Sequence, residues 1–142
     1  MKIRVLLVDD EVQFVDILAQ RLEARGLEVA TAYNGDEALV RLKASEVDVI
    51  LLDILMPGRS GIEILREIKQ AKPLTEVILL TGHATVETAI EGMKLGAYDY
   101  LMKPMETEVL VEKVHKSFRR KADQEKRIRQ AEVDRIVKSR AW

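Results

Sequence analysis

Five short apolar runs alternate with segments of helical spacing along this chain. The runs cover residues 3–8, 27–32, 47–52, 77–80 and 98–102. The first, third and fourth are nearly continuous in Val, Ile and Leu, a composition typical of strands that are covered on both faces. The pattern therefore predicts a parallel sheet that lies between two layers of helices.

A segment with apolar residues three and four positions apart follows each run. These segments cover residues 12–22, 34–42, 62–68, 86–93 and 109–118. Gly26 and Gly96 lie where left-handed helix ends are expected, and Pro73 interrupts the chain after the third segment. Five strand–helix repeats predict a three-layer α/β fold with right-handed crossovers.

The fifth helical segment has no clear end in the sequence. Neither Pro nor Gly occurs between residues 106 and 138, and helix-favouring charged residues dominate after Phe118. Apolar residues are too sparse there for the heptads of a coiled coil. We therefore expect one domain over residues 1–120 and a charged helical extension or linker over residues 121–142.

The composition is that of a folded protein. Of the 142 residues, 47% are apolar and 33% are charged, which excludes a disordered chain. There is no cysteine, so disulfides and thiolate chemistry are excluded. The apolar runs are far shorter than the roughly 20 residues that cross a bilayer, and the chain opens without a signal-peptide core. We expect a cytoplasmic protein without a membrane segment.

The formal net charge of −1 hides an asymmetry. Residues 112–142 hold eleven Lys and Arg against five Asp and Glu, a net charge of +6, and residues 1–111 carry −7. A basic tail can contact nucleic acid or an acidic partner. Because no base-reading motif accompanies this tail, we expect a solvated helix of mixed charge and no direct contact with nucleic acid.

Chemically useful side chains follow four of the five predicted strands. Asp9 and Asp10 follow the first strand, Asp53 the third, Thr81 the fourth and Lys103 the fifth. Ligands of open parallel sheets bind beyond the carboxyl ends of the strands. We therefore expect these side chains to meet in one pocket at that edge of the sheet.

Such a pocket suits phosphoryl transfer to Asp53. Neighbouring carboxylates repel one another unless a cation is present, and Mg²⁺ typically takes one or two carboxylates together with waters and phosphate oxygens. Lys103 offers a point charge, and Thr81 a hydrogen-bond donor, to phosphoryl oxygens. A carboxylate between a metal ion and an ammonium can attack phosphorus. Taken singly, these residues have ordinary explanations, such as a helix cap for Asp10.

Four sequence motifs surround these candidate residues. They are VDDE at residues 8–11, DVILLDILMPG at 48–58, LTGH at 80–83 and GAYDYLMKP at 96–104, with Gly61 after the second. In this order, and over roughly residues 3–120, they resemble the receiver domain of bacterial two-component response regulators. The resemblance implies a flavodoxin-like (βα)5 fold with a five-stranded parallel sheet of order 2-1-3-4-5.

The resemblance also implies a phosphoacceptor and its metal ligands. Asp53 would accept the phosphoryl group. Asp10 and Asp53 would bind Mg²⁺ directly, and Asp9 would act through water. The main-chain carbonyl of Leu55 would complete the ligand set, a contact that needs only backbone.

The remaining motif residues would respond to the phosphoryl group. Thr81 and Lys103 would contact it, and Tyr100 would be the switch aromatic whose rotamer follows phosphorylation. The Lys103–Pro104 peptide bond would be cis. Without the resemblance, Tyr100 reads as an ordinary strand aromatic and His83 as a solvent-facing loop residue.

The implied partner is a sensor histidine kinase, which would present phosphohistidine to Asp53. The face built from the fourth helix, fifth strand and fifth helix would then switch and act on a downstream target or effector domain. The same face, or the C-terminal helix, could join two copies as a homodimer. The chain would be either a stand-alone receiver or a piece of a longer transcriptional regulator.

Two other functions are weighed against this one. A degenerate receiver would bind proteins without being phosphorylated, but the complete set of candidate residues argues against it. A metal-dependent phosphatase similar to the haloacid dehalogenases would need a second acid two residues after its nucleophile, where this chain has Leu55. We therefore expect a signalling domain that catalyses its own phosphorylation and slow dephosphorylation, not an enzyme with an external substrate.

Overall fold

The structure, a computed structural model, describes residues 2–82 and 86–140, and in this part of the chain five strands alternate with five helices. The strands are β1 (Arg4–Val8), β2 (Glu28–Ala32), β3 (Val49–Asp53), β4 (Glu76–Thr81) and β5 (Asp99–Met102). The helices are α1 (Val12–Glu23), α2 (Gly35–Ala44), α3 (Gly61–Ala71), α4 (Val86–Lys94) and α5 (Thr107–Ser139).

All strand pairs in the sheet are parallel, and the strand order is β2-β1-β3-β4-β5. The flavodoxin-like order expected from the sequence is confirmed. The register aligns the carboxyl ends of the inner strands, because Val8 pairs with Leu52 and Asp53 pairs with Leu80. The residues that follow β1, β3 and β4 therefore lie at one edge.

Two apolar layers cover the sheet, because alternate residues of each strand point to opposite faces. On β3, Ile50 and Leu52 pack against α2 and α3. Val49 and Leu51 pack against α1 and α5 on the other face. All five β3 residues are buried, as the continuous apolar run predicts.

The element boundaries agree with the sequence pattern to within a few residues. Gly26 and Gly96 both have positive φ, so the left-handed positions expected after α1 and α4 are occupied by the residue that best tolerates them. The structure does not give Asp10 the capping role, since the N-cap residue of α1 is Glu11, whose side chain makes no capping hydrogen bond. In residues 2–82 and 86–140, no helix combines the length and apolarity needed to cross a membrane.

A buried ion pair joins α5 to the sheet edge opposite the candidate pocket. The ammonium of Lys121, which is only 6% exposed, lies 3.2 Å from an Asp48 oxygen and 3.2 Å from Glu125. Asp48 also accepts a 2.8 Å hydrogen bond from the main-chain N–H of Arg4, and two more from its guanidinium. Burial raises the pKa of Asp48, but the bonds from Arg4 and Lys121 outweigh burial, and the pKa lies below its usual value.

A second ion pair lies beside the first. The guanidinium of Arg120 binds both carboxylate oxygens of Glu76, the first residue of β4, and lies 4.6 Å above the Tyr98 ring. Glu76 is buried. We call the Lys121–Asp48 and Arg120–Glu76 contacts the amino-edge ion pairs. They fix α5 against the amino ends of β3 and β4 at the point where the helix leaves the domain.

Candidate functional site

Three carboxylates meet where β1 and β3 end. Oxygens of Asp9, Asp10 and Asp53 all lie within 4.8 Å of one another. Asp9 is 1% exposed and Asp53 5% exposed, whereas Asp10 is half-buried. Asp9 and Asp10 follow β1 and Asp53 ends the adjacent strand β3, so the sheet register brings the three together, as the sequence predicts.

The chain itself orients two of these carboxylates. One oxygen of Asp9 accepts a 3.0 Å hydrogen bond from the N–H of Glu11, and one oxygen of Asp53 accepts a 3.1 Å bond from the N–H of Leu55. In each case the other oxygen faces the Lys103 ammonium, at 2.5 Å from Asp9 and 3.6 Å from Asp53. Lys103 also lies 3.4 Å from the exposed Glu11.

The charges of this pocket are only partly balanced. Burial, reinforced by repulsion from Asp9, raises the pKa of Asp53 to about 6 although Lys103 opposes the change. Burial lowers the pKa of Lys103, but hydrogen bonding to Asp9 and attraction to the other carboxylates outweigh it, and its pKa is raised. One ammonium thus faces several carboxylates, and a further cation would stabilise them.

The donor set fits a magnesium ion. It consists of carboxylate oxygens, the hard ligands that Mg²⁺ prefers, and Mg–O bonds of about 2.0–2.1 Å place neighbouring ligands roughly 3–4 Å apart. The observed spacing of up to 4.8 Å reaches that range through small side-chain rotations. Asp9, Asp10 and Asp53 are the residues that would hold such an ion.

Thr81 and Tyr100 lie on the two strands next to this pocket. Thr81 is buried at the end of β4, and its carbonyl accepts a 2.9 Å hydrogen bond from the N–H of Lys103. Tyr100 is half-buried on β5 and packs against the core layer of α2 and α3. The Lys103–Pro104 peptide bond is cis.

Of the two residues Leu55 and His83, the structure describes only Leu55. The Leu55 side chain is exposed, and its main chain contacts the pocket through the bond to Asp53. His83 lies outside the described residues.

Phe14 also lies at the site, although it belongs to none of the motifs that mark the other site residues. The Lys103 nitrogen lies 4.2 Å from the centre of its ring. Phe14 is in the first turn of α1, and helical side chains tilt toward the start of their helix, here toward the tip of β1. That tilt, together with the position of Phe14 five residues after Asp9, is the available sequence signal.

The comparison with protein families matches residues 5–115 to the response regulator receiver domain. The chain is also 40% identical over 116 residues to the transcriptional regulatory protein ZraR of Salmonella typhimurium. That match covers 82% of this chain and 26% of ZraR, so the chain spans about a quarter of the length of this relative.

Solved structures show the same architecture. The CheY-like receiver domain protein from Methanospirillum hungatei JF-1 has a TM-score of 0.84 and 30% identity, covering 87% of this chain and 99% of that chain. NtrX from Brucella abortus, crystallised in complex with ADP, has a TM-score of 0.83 and 31% identity. The NtrX match covers 89% of this chain and 29% of that chain.

Proposed function

This chain belongs to the response regulator receiver domain family of two-component signalling systems, and from that premise we propose that Asp53 accepts a phosphoryl group from a sensor histidine kinase. The observation that carries the proposal is the buried Asp53 carboxylate, 3.6 Å from the Lys103 ammonium and grouped with Asp9 and Asp10. A nucleophile between an amine and a candidate metal site is the arrangement that phosphoryl transfer needs. We expect the two proteins to meet in the cytoplasm.

The transfer step needs little covalent chemistry from the protein. A carboxylate oxygen of Asp53 attacks the phosphorus of phosphohistidine, the P–N bond breaks, and its electron pair returns to the imidazole nitrogen. Lys103 neutralises a phosphoryl oxygen, and Thr81 donates a hydrogen bond to another. Water later hydrolyses the acyl phosphate slowly.

Magnesium would be held directly by Asp10 and Asp53, by Asp9 through water, and by the Leu55 carbonyl. When bound, the ion supplies charge neutralisation for the pocket and for the incoming phosphoryl oxygens. The chain's own contribution is to fix the ligands: the N–H groups of Glu11 and Leu55 each orient one carboxylate.

Phosphorylation then changes the signalling face. The new group adds roughly two negative charges and strong acceptor oxygens beside Thr81 and Lys103. Both side chains move toward it, and Tyr100 turns inward into the space beside β4. The face of α4, β5 and α5, where Ile90, Met93 and Met102 are exposed, shifts between two populations.

The output is a downstream target or an effector domain. The extension over residues 121–142, which is helical as far as Ser139, would link the receiver over residues 1–120 to that effector in a longer transcriptional regulator. A second copy would dock on the same switching face or along the extension. Light scattering of the full chain and of a chain ending at Lys126 tests the second route, since this shorter chain retains the Lys121–Glu125 pair. Equal association states for the two chains would exclude the extension as the dimer contact.

The central experiment is incubation with Mg²⁺ and acetyl phosphate, followed by intact mass spectrometry. Wild type should gain the mass of one phosphoryl group, Asp53→Ala should gain none, and the surface control Asp16→Ala should label like wild type. Absence of labelling on the wild type, or equal labelling of Asp53→Ala, would defeat the proposal. A phosphorylation-independent binding module, the alternative, predicts no labelling and no calorimetric signal for Mg²⁺.

A further inference from the structure

An aromatic ring lies on one side of the Lys103 ammonium. Besides the carboxylates of Asp9, Asp53 and Glu11, its nitrogen faces the ring of Phe14, whose centre is 4.2 Å away. Phe14 is half-buried and packs against the core layer of α1 and α5, so its ring is held from behind. A supported ring can restrict where the ammonium sits.

The surrounding carboxylates do not fix the ammonium by themselves. Asp9 and Asp53 are buried and attract Lys103 into the pocket, but Glu11 is exposed and attracts it toward solvent. Lysine has a flexible four-carbon stem that can follow either attraction. The ring face of Phe14 attracts the ammonium through its quadrupole, and this attraction does not change with the protonation of a neighbouring acid.

The ring becomes more important when a divalent cation binds. Such an ion competes for the oxygens of Asp9 and Asp53 that Lys103 now contacts, and it repels the ammonium. It does not compete for the face of Phe14, because Mg²⁺ selects oxygen ligands. We propose that Phe14 is a positioning residue, which holds the Lys103 ammonium beside Asp53 during phosphoryl transfer; this inference rests on the function proposed above.

The first test compares two phenylalanines in the same layer. Phe118, the only other phenylalanine, is also half-buried against α1 and α5, which makes Phe118→Leu a matched control for Phe14→Leu. We expect Phe14→Leu to be phosphorylated by acetyl phosphate about three- to tenfold more slowly at saturating Mg²⁺, the loss typical of a half-exposed cation–π contact. Phe14→Tyr retains the ring and should restore the rate to within about twofold of wild type, as Phe118→Leu should leave it.

The second test does not depend on phosphoryl transfer. An ammonium held against Asp9 and Asp53 opposes the entry of Mg²⁺, so Phe14→Leu should bind Mg²⁺ about threefold more tightly in calorimetry, an effect of the same cation–π size. In a Lys103→Met background, the same substitution should leave the Mg²⁺ affinity unchanged, because there is no ammonium to release. Urea unfolding of each variant establishes that it is folded.

The outcomes separate the positioning role from the proposed function. A wild-type rate and wild-type Mg²⁺ affinity for Phe14→Leu would overturn the positioning role. So would an affinity change that persists in the Lys103→Met background, or a Phe118→Leu variant that is equally slow. A wild type that takes no phosphate would refute the phosphoacceptor function, and the Mg²⁺ measurements would still decide whether Phe14 positions Lys103.

Discussion

The buried pair of Asp48 and Lys121 provides an asymmetric test of what holds α5 to the sheet. Replacing Asp48 by Asn keeps the shape of the side chain and one acceptor for the Arg4 N–H. The new amide NH₂ group faces the Lys121 ammonium, which is itself a donor. The substitution also removes the negative charge beside Lys121, whose side chain is almost fully buried. Replacing Lys121 by Met leaves Asp48 with the three hydrogen bonds that Arg4 donates.

The two substitutions should therefore differ in cost. Removing one partner of a buried pair typically costs 3–5 kcal/mol. Because Glu125 still contacts Lys121, we expect Asp48→Asn to lower the free energy of unfolding by about 2–3 kcal/mol. Lys121→Met removes the buried charge and replaces it with apolar volume, so it should cost only about 0–1 kcal/mol. The double variant Asp48→Asn/Lys121→Met should recover part of the free energy of unfolding that Asp48→Asn loses.

Urea unfolding followed by far-ultraviolet circular dichroism measures these differences. With a slope of about 2 kcal/mol per molar, the midpoint of Asp48→Asn should fall by about 1–1.5 M, and that of Lys121→Met by less than about 0.5 M. Equal midpoints for the two single variants, or a larger loss for Lys121→Met, would refute the reasoning. A double variant less stable than Asp48→Asn would have the same consequence.

Three further predictions follow from the same structure. A Cβ on Gly61 would lie 2.4 Å from the main-chain oxygen of Asp53, so Gly61→Ala should cost about 1–3 kcal/mol in urea unfolding and weaken Mg²⁺ binding in calorimetry. At Gly82, a Cβ would meet no atom of residues 2–82 and 86–140 within 4 Å, so Gly82→Ala should do neither. Mg²⁺ at about 100 times its dissociation constant should raise the free energy of unfolding of wild type by about 2.7 kcal/mol but leave Asp10→Asn nearly unchanged. The pKa of Asp48 is lowered on folding, so the stability that its charge contributes is present above about pH 4 and is lost as the pH falls through the folded pKa. The difference in the free energy of unfolding between wild type and Asp48→Asn, measured by urea unfolding at each pH, should therefore shrink as the solution becomes acidic.

The strands and the carboxylate cluster could be predicted from the sequence because they depend on local pattern and on one topological rule, whereas the strand order was expected only from the resemblance to receiver domains. Asp9 and Asp53 each follow an apolar run, and parallel strands end at the same edge. Phe14 escaped prediction because its contact depends on the rotation of α1 about its axis. The pairing of Asp48 with Lys121 could not be predicted either, since the two lie 73 positions apart and a charged helix offers many equivalent partners.

The length of α5 has a mechanical consequence. The helix runs without a break from Thr107, four residues beyond Lys103, to Ser139. At 1.5 Å per residue, the part beyond Lys121 is a lever arm of roughly 27 Å. A tilt of about 5° at the domain would sweep its far end through roughly 2 Å over that length. If the helix pivots at the amino-edge ion pairs, a slight reorientation of α5 in the receiver would displace its far end enough to alter side-chain packing in any domain or partner that contacts that end.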